Sequence, residues 1–168
     1  MRLALYEPDI PQNAGTMLRL AACLGLGADI IEPCGFALSD RHLRRAGMDY
    51  LDAVDMTVHP SYPAFLEARA GARLVLLTTA GDTAYHEAAY RPDDVLMVGR
   101  ESAGVPTSVH ADAGLRVRIP MATRRDGAPS PARPLRSLSL RSLNVAVAAA
   151  MVAGEALRQT GGFPPPRA

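Results

Sequence analysis

The chain has 168 residues, 48% of them hydrophobic, which is enough for one domain with its own core. Its net charge of +1 excludes a uniformly basic surface for nucleic acid, yet all 18 Lys and Arg residues are arginine, whose planar guanidinium suits phosphate. The two cysteines lack metal-type spacing, the four histidines are scattered, and no signal peptide or membrane-spanning run is visible, so we expect a cytoplasmic protein without metal or membrane.

The first predicted elements are a strand and a capped helix. Leu3–Tyr6 is a short apolar run that ends at a Glu-Pro pair, and Asn13 is placed to cap a helix that ends before Gly25. Arg19 lies in the first half of that helix. These residues are consistent either with an ordinary helix carrying a surface arginine or with a polar cluster at the ligand-binding edge of a parallel sheet.

A basic segment follows the second predicted strand, Ala28–Ile31. Residues 39–45 indicate a short capped helix that carries Arg41, Arg44 and Arg45. Such a charge run is usually only a solvated face, but three arginines near the presumed ligand edge also suit contact with phosphate groups.

Further apolar runs alternate with helical patterns. A helix is predicted at Pro63–Ala70, and the strands are predicted at Val54–Val58, Leu74–Leu77, Val95–Val98 and Leu115–Ile119. This alternation predicts an α/β fold with a mainly parallel sheet and helices on both faces.

A glycine-rich stretch, GRESAGVP, runs from Gly99 to Pro106 directly after a predicted buried strand. Two glycines around Glu101 indicate a tight turn whose backbone approaches a ligand, or else a plain loop with glycine at positive φ. The dinucleotide-binding fingerprint and the P-loop are both absent from the chain.

The last third of the chain combines a polar insert with an apolar helix. Residues 122–140 are rich in Pro, Arg and Ser, and we predict an insert in a single domain, residues 1–160, followed by a tail, residues 161–168. The stretch Arg141–Gln159 predicts a helix capped by Ser142. Its residues Val145–Ala153 are apolar on every face, so we expect this helix to pack in the core, against a partner subunit, or both.

Three motifs in order carry a family resemblance. They are Asn13-x-Gly15-x-x-x-Arg19, GRESAGVP, and Ile119-Pro120-Met121 together with RSLNVAVAA from Arg141. They resemble the three motifs of the SPOUT methyltransferases, specifically the SpoU-type RNA 2′-O-methyltransferases. The stretch EPCGFALSDRHLRRAGMDY, residues 32–50, resembles the subgroup that methylates the wobble nucleotide, cytidine or a modified uridine, of leucine tRNAs.

The resemblance implies a deep C-terminal trefoil knot, a homodimer, tRNA bound through its anticodon loop, and S-adenosylmethionine as the cofactor. The residues that it assigns to the cofactor are Leu77, Thr78, Gly99, Glu101, Gly104, Ile119, Met121, Ser142 and Leu143. It assigns catalysis to Arg19, supported by Asn13, Glu101, Ser142 and Asn144. RNA contacts are expected from Arg19, Arg41, Arg44 and Arg45.

The chemistry assigned to Arg19 needs qualification. A guanidinium keeps its proton near neutral pH and is a poor base, so we expect Arg19 to orient the ribose hydroxyl and the adjacent phosphate. Two other functions remain open from the sequence. One is an inactive RNA-binding protein whose insert disrupts the cofactor loop, and the other, disfavoured by the missing glycine fingerprint, is a nucleotide-dependent oxidoreductase.

Overall fold

The structure, a computed structural model, describes residues 1–39, 41–47, 50, 53–122 and 142–165. The strands in these residues are β1 (Arg2–Tyr6), β2 (Gly27–Ile31), β3 (Met56–His59), β4 (Leu74–Leu77), β5 (Thr83–Ala84), β6 (Val95–Val98) and β7 (Leu115–Arg118). The helices are α1 (Pro11–Leu24), α2 (Arg41–Gly47), α3 (Tyr62–Ala68), α4 (Thr107–Asp112) and α5 (Val145–Thr160).

One sheet contains all of these strands, in the order β3-β2-β1-β6-β4-β7-β5, and every pairing is parallel. The predicted α/β class and parallel sheet are therefore confirmed. The register also aligns the strand ends, because Leu5 and Leu77 both lie opposite Val98, and Leu77 lies opposite Val117 as well. The loops that follow β1, β4, β6 and β7 consequently leave the sheet at the same edge.

Helices cover both faces of the sheet. Leu3 and Leu5 of β1 belong to the core that contains α1 and α5, whereas Ala4 and Tyr6 belong to the core that contains Phe65 of α3. Because successive side chains of a strand point to opposite faces, a strand buried on both faces is apolar throughout. This explains why uninterrupted apolar runs, rather than alternation, identified the central strands.

The predicted strands are confirmed with small shifts at their ends. The largest shift is at β3, which begins at Met56 instead of Val54. Ile119 lies just beyond β7. The two-residue β5 and the short helix α4 were not predicted.

Two predicted helix caps were wrong. Helix α1 begins at Pro11 with Ile10 as its N-cap, so Asn13 is its third residue rather than its cap. Helix α5 is capped by Asn144, whose side-chain oxygen accepts from the amides of Ala146 at 2.9 Å and Val147 at 3.3 Å. Ser142 lies two residues before the cap and is exposed.

The predicted insert, residues 122–140, falls almost wholly in 123–141, outside the described residues. The same range contains most of the loop that would close the predicted knot, which therefore stays a prediction. Among the described residues, no helix combines the length and the apolar character needed to cross a bilayer.

A buried ion cluster lies on β2. The carboxylate of Asp29 is fully buried and accepts from Arg2 at 2.8 Å, Arg69 at 2.6 Å and His59 at 2.8 Å. Burial by itself would raise the pKa of Asp29, but the hydrogen bonds from these three partners outweigh it and hold that pKa below its ordinary value. Its contribution to stability is therefore present above pH of about 4 and is lost as the pH falls through the lower pKa of the folded state.

We expect Asp29→Asn to lower the free energy of unfolding by about 3 kcal/mol at pH 7, because Arg2 and Arg69 lose their buried counter-charge. Urea unfolding measures the loss, which should shrink as the pH falls below about 4. Asp82→Asn is the matched control, since it breaks only the exposed ion pair with Arg116 and should cost less than about 1 kcal/mol. Equal losses in the two variants would contradict a dominant role for the buried cluster.

Candidate active site

A cavity of about 790 Å³ lies at the carboxyl edge of the sheet. Its walls come from the loops after β4, β6 and β7 and from the residues around the start of α5. Open α/β sheets bind ligands at this edge, and the volume is in the range of small-molecule sites. Val98, Val117, Ala148 and Val152 supply apolar wall, while loop backbone and a few polar side chains supply the rest.

All nine residues assigned to the cofactor by the sequence line this one cavity: Leu77, Thr78, Gly99, Glu101, Gly104, Ile119, Met121, Ser142 and Leu143. They come from four separate stretches of chain that only the fold brings together. The structure thus brings the predicted cofactor residues together around one cavity. Their contacts to a cofactor stay a prediction.

The glycine-rich turn after β6 is closed tightly at its base. Arg100 and Gly104 exchange two backbone hydrogen bonds, at 3.1 and 2.8 Å, and Gly104 has a φ of 68°. A Cβ added to Gly99 would lie 2.6 Å from the carbonyl carbon of Gly104, which is closer than real side chains come. The turn therefore needs glycine at both positions, one for its positive φ and one for space.

The predicted polar residues of the first and third motifs meet at the cavity rim. The side-chain amide of Asn144 donates to the side-chain oxygen of Asn13 at 3.0 Å, and both residues line the cavity together with Glu101 and Ser142. Asn144 therefore links α1 to α5 while it caps α5. The four residues assigned to support catalysis are adjacent to one cavity.

Arg19 is not among the residues that line this cavity. It is exposed on α1, and its guanidinium lies 5.2 Å from the ring centroid of Tyr50. Arg41 and Arg45 are exposed on α2, which packs so closely on α1 that a Cβ at Gly15 would lie 2.5 Å from the carbonyl oxygen of Leu43. Arg44 belongs to the same helix, but its side chain lies outside the described residues. The catalytic role of Arg19 stays a prediction.

Sequence reasoning missed a carboxylate that organises the turn. Asp9, in the loop after β1, accepts from the amides of Glu101 at 3.0 Å and Ser102 at 3.2 Å and from the hydroxyl of Ser102. Arg100 of the same turn pairs with Glu7. No local pattern identifies Asp9, because its partners are 92 and 93 residues away in sequence.

His110 also lines the cavity and was missed, since α4 itself was not predicted.

The carboxyl group of Glu101, in the cavity wall, lies next to that of Asp9 behind it. The side-chain hydrogen bond with Glu101 is the main reason that the pKa of Asp9 falls to about 2. Burial and the neighbouring Asp9 raise the pKa of Glu101 above its ordinary value. One side-chain oxygen of Glu101 is buried and has no hydrogen-bond partner among the described residues.

The arrangement suits an organic cofactor with both apolar and polar parts. Three loops, among them the tight glycine turn that carries Glu101, surround a partly apolar space. Among the described residues, no group of three or more His, Cys, Asp or Glu side chains is placed to hold a metal ion.

Comparison with known proteins places this arrangement in a family. Residues 1–127 match the SpoU rRNA Methylase family. A tRNA (cytidine(34)-2′-O)-methyltransferase of Beijerinckia indica is 59% identical over 163 residues, which cover 96% of this chain and 92% of that protein.

Solved structures agree with the sequence comparison. One, described as structural insights into the 2-OH methylation of C/U34 on tRNA, has a TM-score of 0.82 and 42% identity and covers 94% of both chains. An AdoMet-bound rRNA methyltransferase from Sinorhizobium meliloti has a TM-score of 0.76 and 28% identity, covering 94% of this chain and 55% of that one.

Proposed function

Because the chain belongs to the SpoU rRNA Methylase family and is an S-adenosylmethionine-dependent methyltransferase, we propose that it methylates the ribose 2′-hydroxyl of nucleotide 34 in tRNA. The observation that carries the proposal is the 59% identity, over nearly its whole length, to a protein named for that reaction. The resemblance of residues 32–50 further supports leucine tRNAs as substrates, with cytidine or a modified uridine at the wobble position.

The cavity fits S-adenosylmethionine, which when bound supplies the methyl group from its sulfonium. We assign the adenosine part to the backbone around Leu77, Gly99 and Ile119, and Ser142 and Leu143 to closure over it. Since Ser142 and Leu143 line the same cavity as the other cofactor residues, the alternative of an inactive protein with a displaced cofactor loop is not favoured.

The remaining residues position the acceptor. Arg19 orients the ribose hydroxyl and the adjacent phosphate through its planar pair of donors, which suits phosphate geometry. Asn13 and Asn144 fix each other at the rim through their 3.0 Å hydrogen bond, so the start of α1 is held against the start of α5. Arg41 and Arg45, exposed on the adjacent α2, would extend the phosphate contacts away from the cavity.

Incubation with labelled S-adenosylmethionine and unmodified leucine tRNA should label the ribose of nucleotide 34. The matched control is the same tRNA with a 2′-deoxy nucleotide at position 34, which offers no hydroxyl and should stay unlabelled. Label on a base atom, or in ribosomal RNA alone, would overturn the proposed function. Label at nucleotide 34 of other tRNAs but not of leucine tRNAs would overturn only the choice of isoacceptor.

Arg19→Ala should abolish methyl transfer and leave the affinity for S-adenosylmethionine within about twofold, because Arg19 does not line the cavity. Arg19→Lys should also fail, since a point charge does not reproduce the paired donors. Calorimetry measures cofactor binding, and labelled tRNA measures turnover. The control is Arg91→Ala, which removes an exposed arginine before β6 and should leave cofactor binding and turnover unchanged. A parallel loss of cofactor binding in Arg19→Ala would move this residue into the cofactor site.

We also propose a homodimer that forms through α1 and α5. Helix α5 buries Ala149, Val152 and Ala153 in its own core, yet its opposite side leaves Val147 51% exposed. A groove of about 590 Å³ runs there between the helices, lined by Asn13, Thr16, Asn144, Ala146, Val147, Ala150 and Met151. An apolar helix face that its own chain does not cover supports contact with a second copy of this chain.

Val147→Glu should convert the protein to a monomer in sedimentation experiments, because a charge would be trapped in the subunit contact. Val58→Glu is the control, since Val58 is an exposed valine on the edge strand β3 and its variant should stay dimeric. A wild-type protein that sediments as a monomer and has full activity would refute the dimer.

A further inference from the structure

The tip of the glycine-rich turn is held from outside the turn. Its base is closed by the backbone bonds between Arg100 and Gly104, but the amides of Glu101 and Ser102 point at the carboxylate of Asp9. The hydroxyl of Ser102 donates to the same carboxylate. One side chain therefore receives three hydrogen bonds from two consecutive residues of the cavity wall.

The segment that carries Asp9, residues 7–9, is itself anchored. The amide of Glu7 donates to the carbonyl of Ile31 at 2.9 Å, and the amide of Gly35 donates to the carbonyl of Pro8 at 2.9 Å. Glu7 has a φ of 43°, a left-handed conformation that a non-glycine residue adopts only when its surroundings enforce it, and its side chain pairs with Arg100. Residues 7–9 thus tie the turn to the end of β2.

The charge of the Asp9 carboxylate is consistent with its role as the acceptor of these hydrogen bonds. The pKa of Asp9 is lowered to about 2, first by the side-chain hydrogen bond with Glu101, so its carboxylate is ionised at neutral pH. The amide of Asp9 in turn faces a side-chain oxygen of Glu101 at 3.4 Å. An ionised acceptor strengthens the hydrogen bonds from the two amides.

We propose that Asp9 is a positioning residue for methyl transfer, whose carboxylate fixes the tip of the turn so that the backbone and Glu101 present a preformed wall to S-adenosylmethionine. Asp9 does not line the cavity and acts through Glu101 and Ser102, which do. The inference rests on the cofactor dependence of the proposed function and not on the identity of the RNA. A turn that is ordered before the cofactor arrives does not lose binding free energy to its own ordering.

Asp9→Asn keeps the size of the side chain but replaces one of the two acceptor oxygens by an NH₂ group. One of the two backbone amides then faces a donor instead of an acceptor. We expect the dissociation constant of S-adenosylmethionine to rise on the order of tenfold to a hundredfold, with a matching rise in its KM and a smaller change in kcat. Asp93→Asn is the matched control, because Asp93 is exposed just before β6, at the opposite end of that strand. Its cofactor affinity should equal that of the wild type.

A double-mutant cycle with Ser102→Ala tests whether Asp9 acts through the turn. Ser102→Ala removes one of the three hydrogen bonds, and we expect a smaller loss of affinity with the same sign. If Asp9 works through Ser102, the double variant binds the cofactor no worse than Asp9→Asn alone, so the two losses are non-additive. Additive losses would show that Ser102 contacts the cofactor by itself, and would overturn this part of the inference.

Amide hydrogen exchange separates positioning from a general loss of stability. In Asp9→Asn the amides of Glu101 and Ser102 should exchange faster, while the amides of β6 stay as protected as in the wild type. Unchanged cofactor affinity, or loss of protection throughout β6, would overturn the proposal. Because binding is measured without RNA, a wrong choice of RNA substrate leaves this result intact, and a wrong role for Asp9 leaves the methylation of nucleotide 34 intact.

Discussion

The common register of β1, β6, β4 and β7 is the constraint on which the cavity depends. Strands β1, β4 and β6 are largely apolar and buried, and β7 buries Val117, so a slip by one residue would move these side chains to the opposite face and into the wrong core. The register brings four strand ends to one edge. Residues as distant in sequence as Leu77 and Ser142 can line one cavity only because of that alignment.

Helix α5 completes this edge through small side chains. Its buried alanines, spaced three or four residues apart, lie on the side that faces the sheet, and Ala148 and Val152 also reach the cavity wall. Small residues allow close packing on the sheet, and the same apolar composition leaves the outer side without charge until Glu155. Core packing, cavity wall and proposed subunit contact therefore all depend on one stretch of sequence.

The sequence predicted what local patterns and ordered motifs can encode. Val95–Val98 and Leu74–Leu77 were found with their observed bounds, because strands buried on both faces are continuous apolar runs. All nine cofactor residues carried over from the motifs line one cavity. The contact between Asp9 and the turn was missed because it spans 92 residues, and Asn144 was missed as a cap because neighbouring Ser142 fits the same preference.

If Arg19 contacts the ribose as proposed, its position determines where the two substrates meet. Asn13 lines the cavity, and Arg19 follows it by six residues on α1, which is about 9 Å along a helix axis. Under the proposed function, a ribose that contacts Arg19 therefore lies at the rim rather than inside the cavity, on the side where α2 packs against α1. Phosphates on either side of that ribose would then run past Arg41 and Arg45, which are exposed there. Under the proposed function the cofactor would be enclosed at the sheet edge while the RNA stays on the surface, so a macromolecular substrate would reach the methyl group without entering the fold.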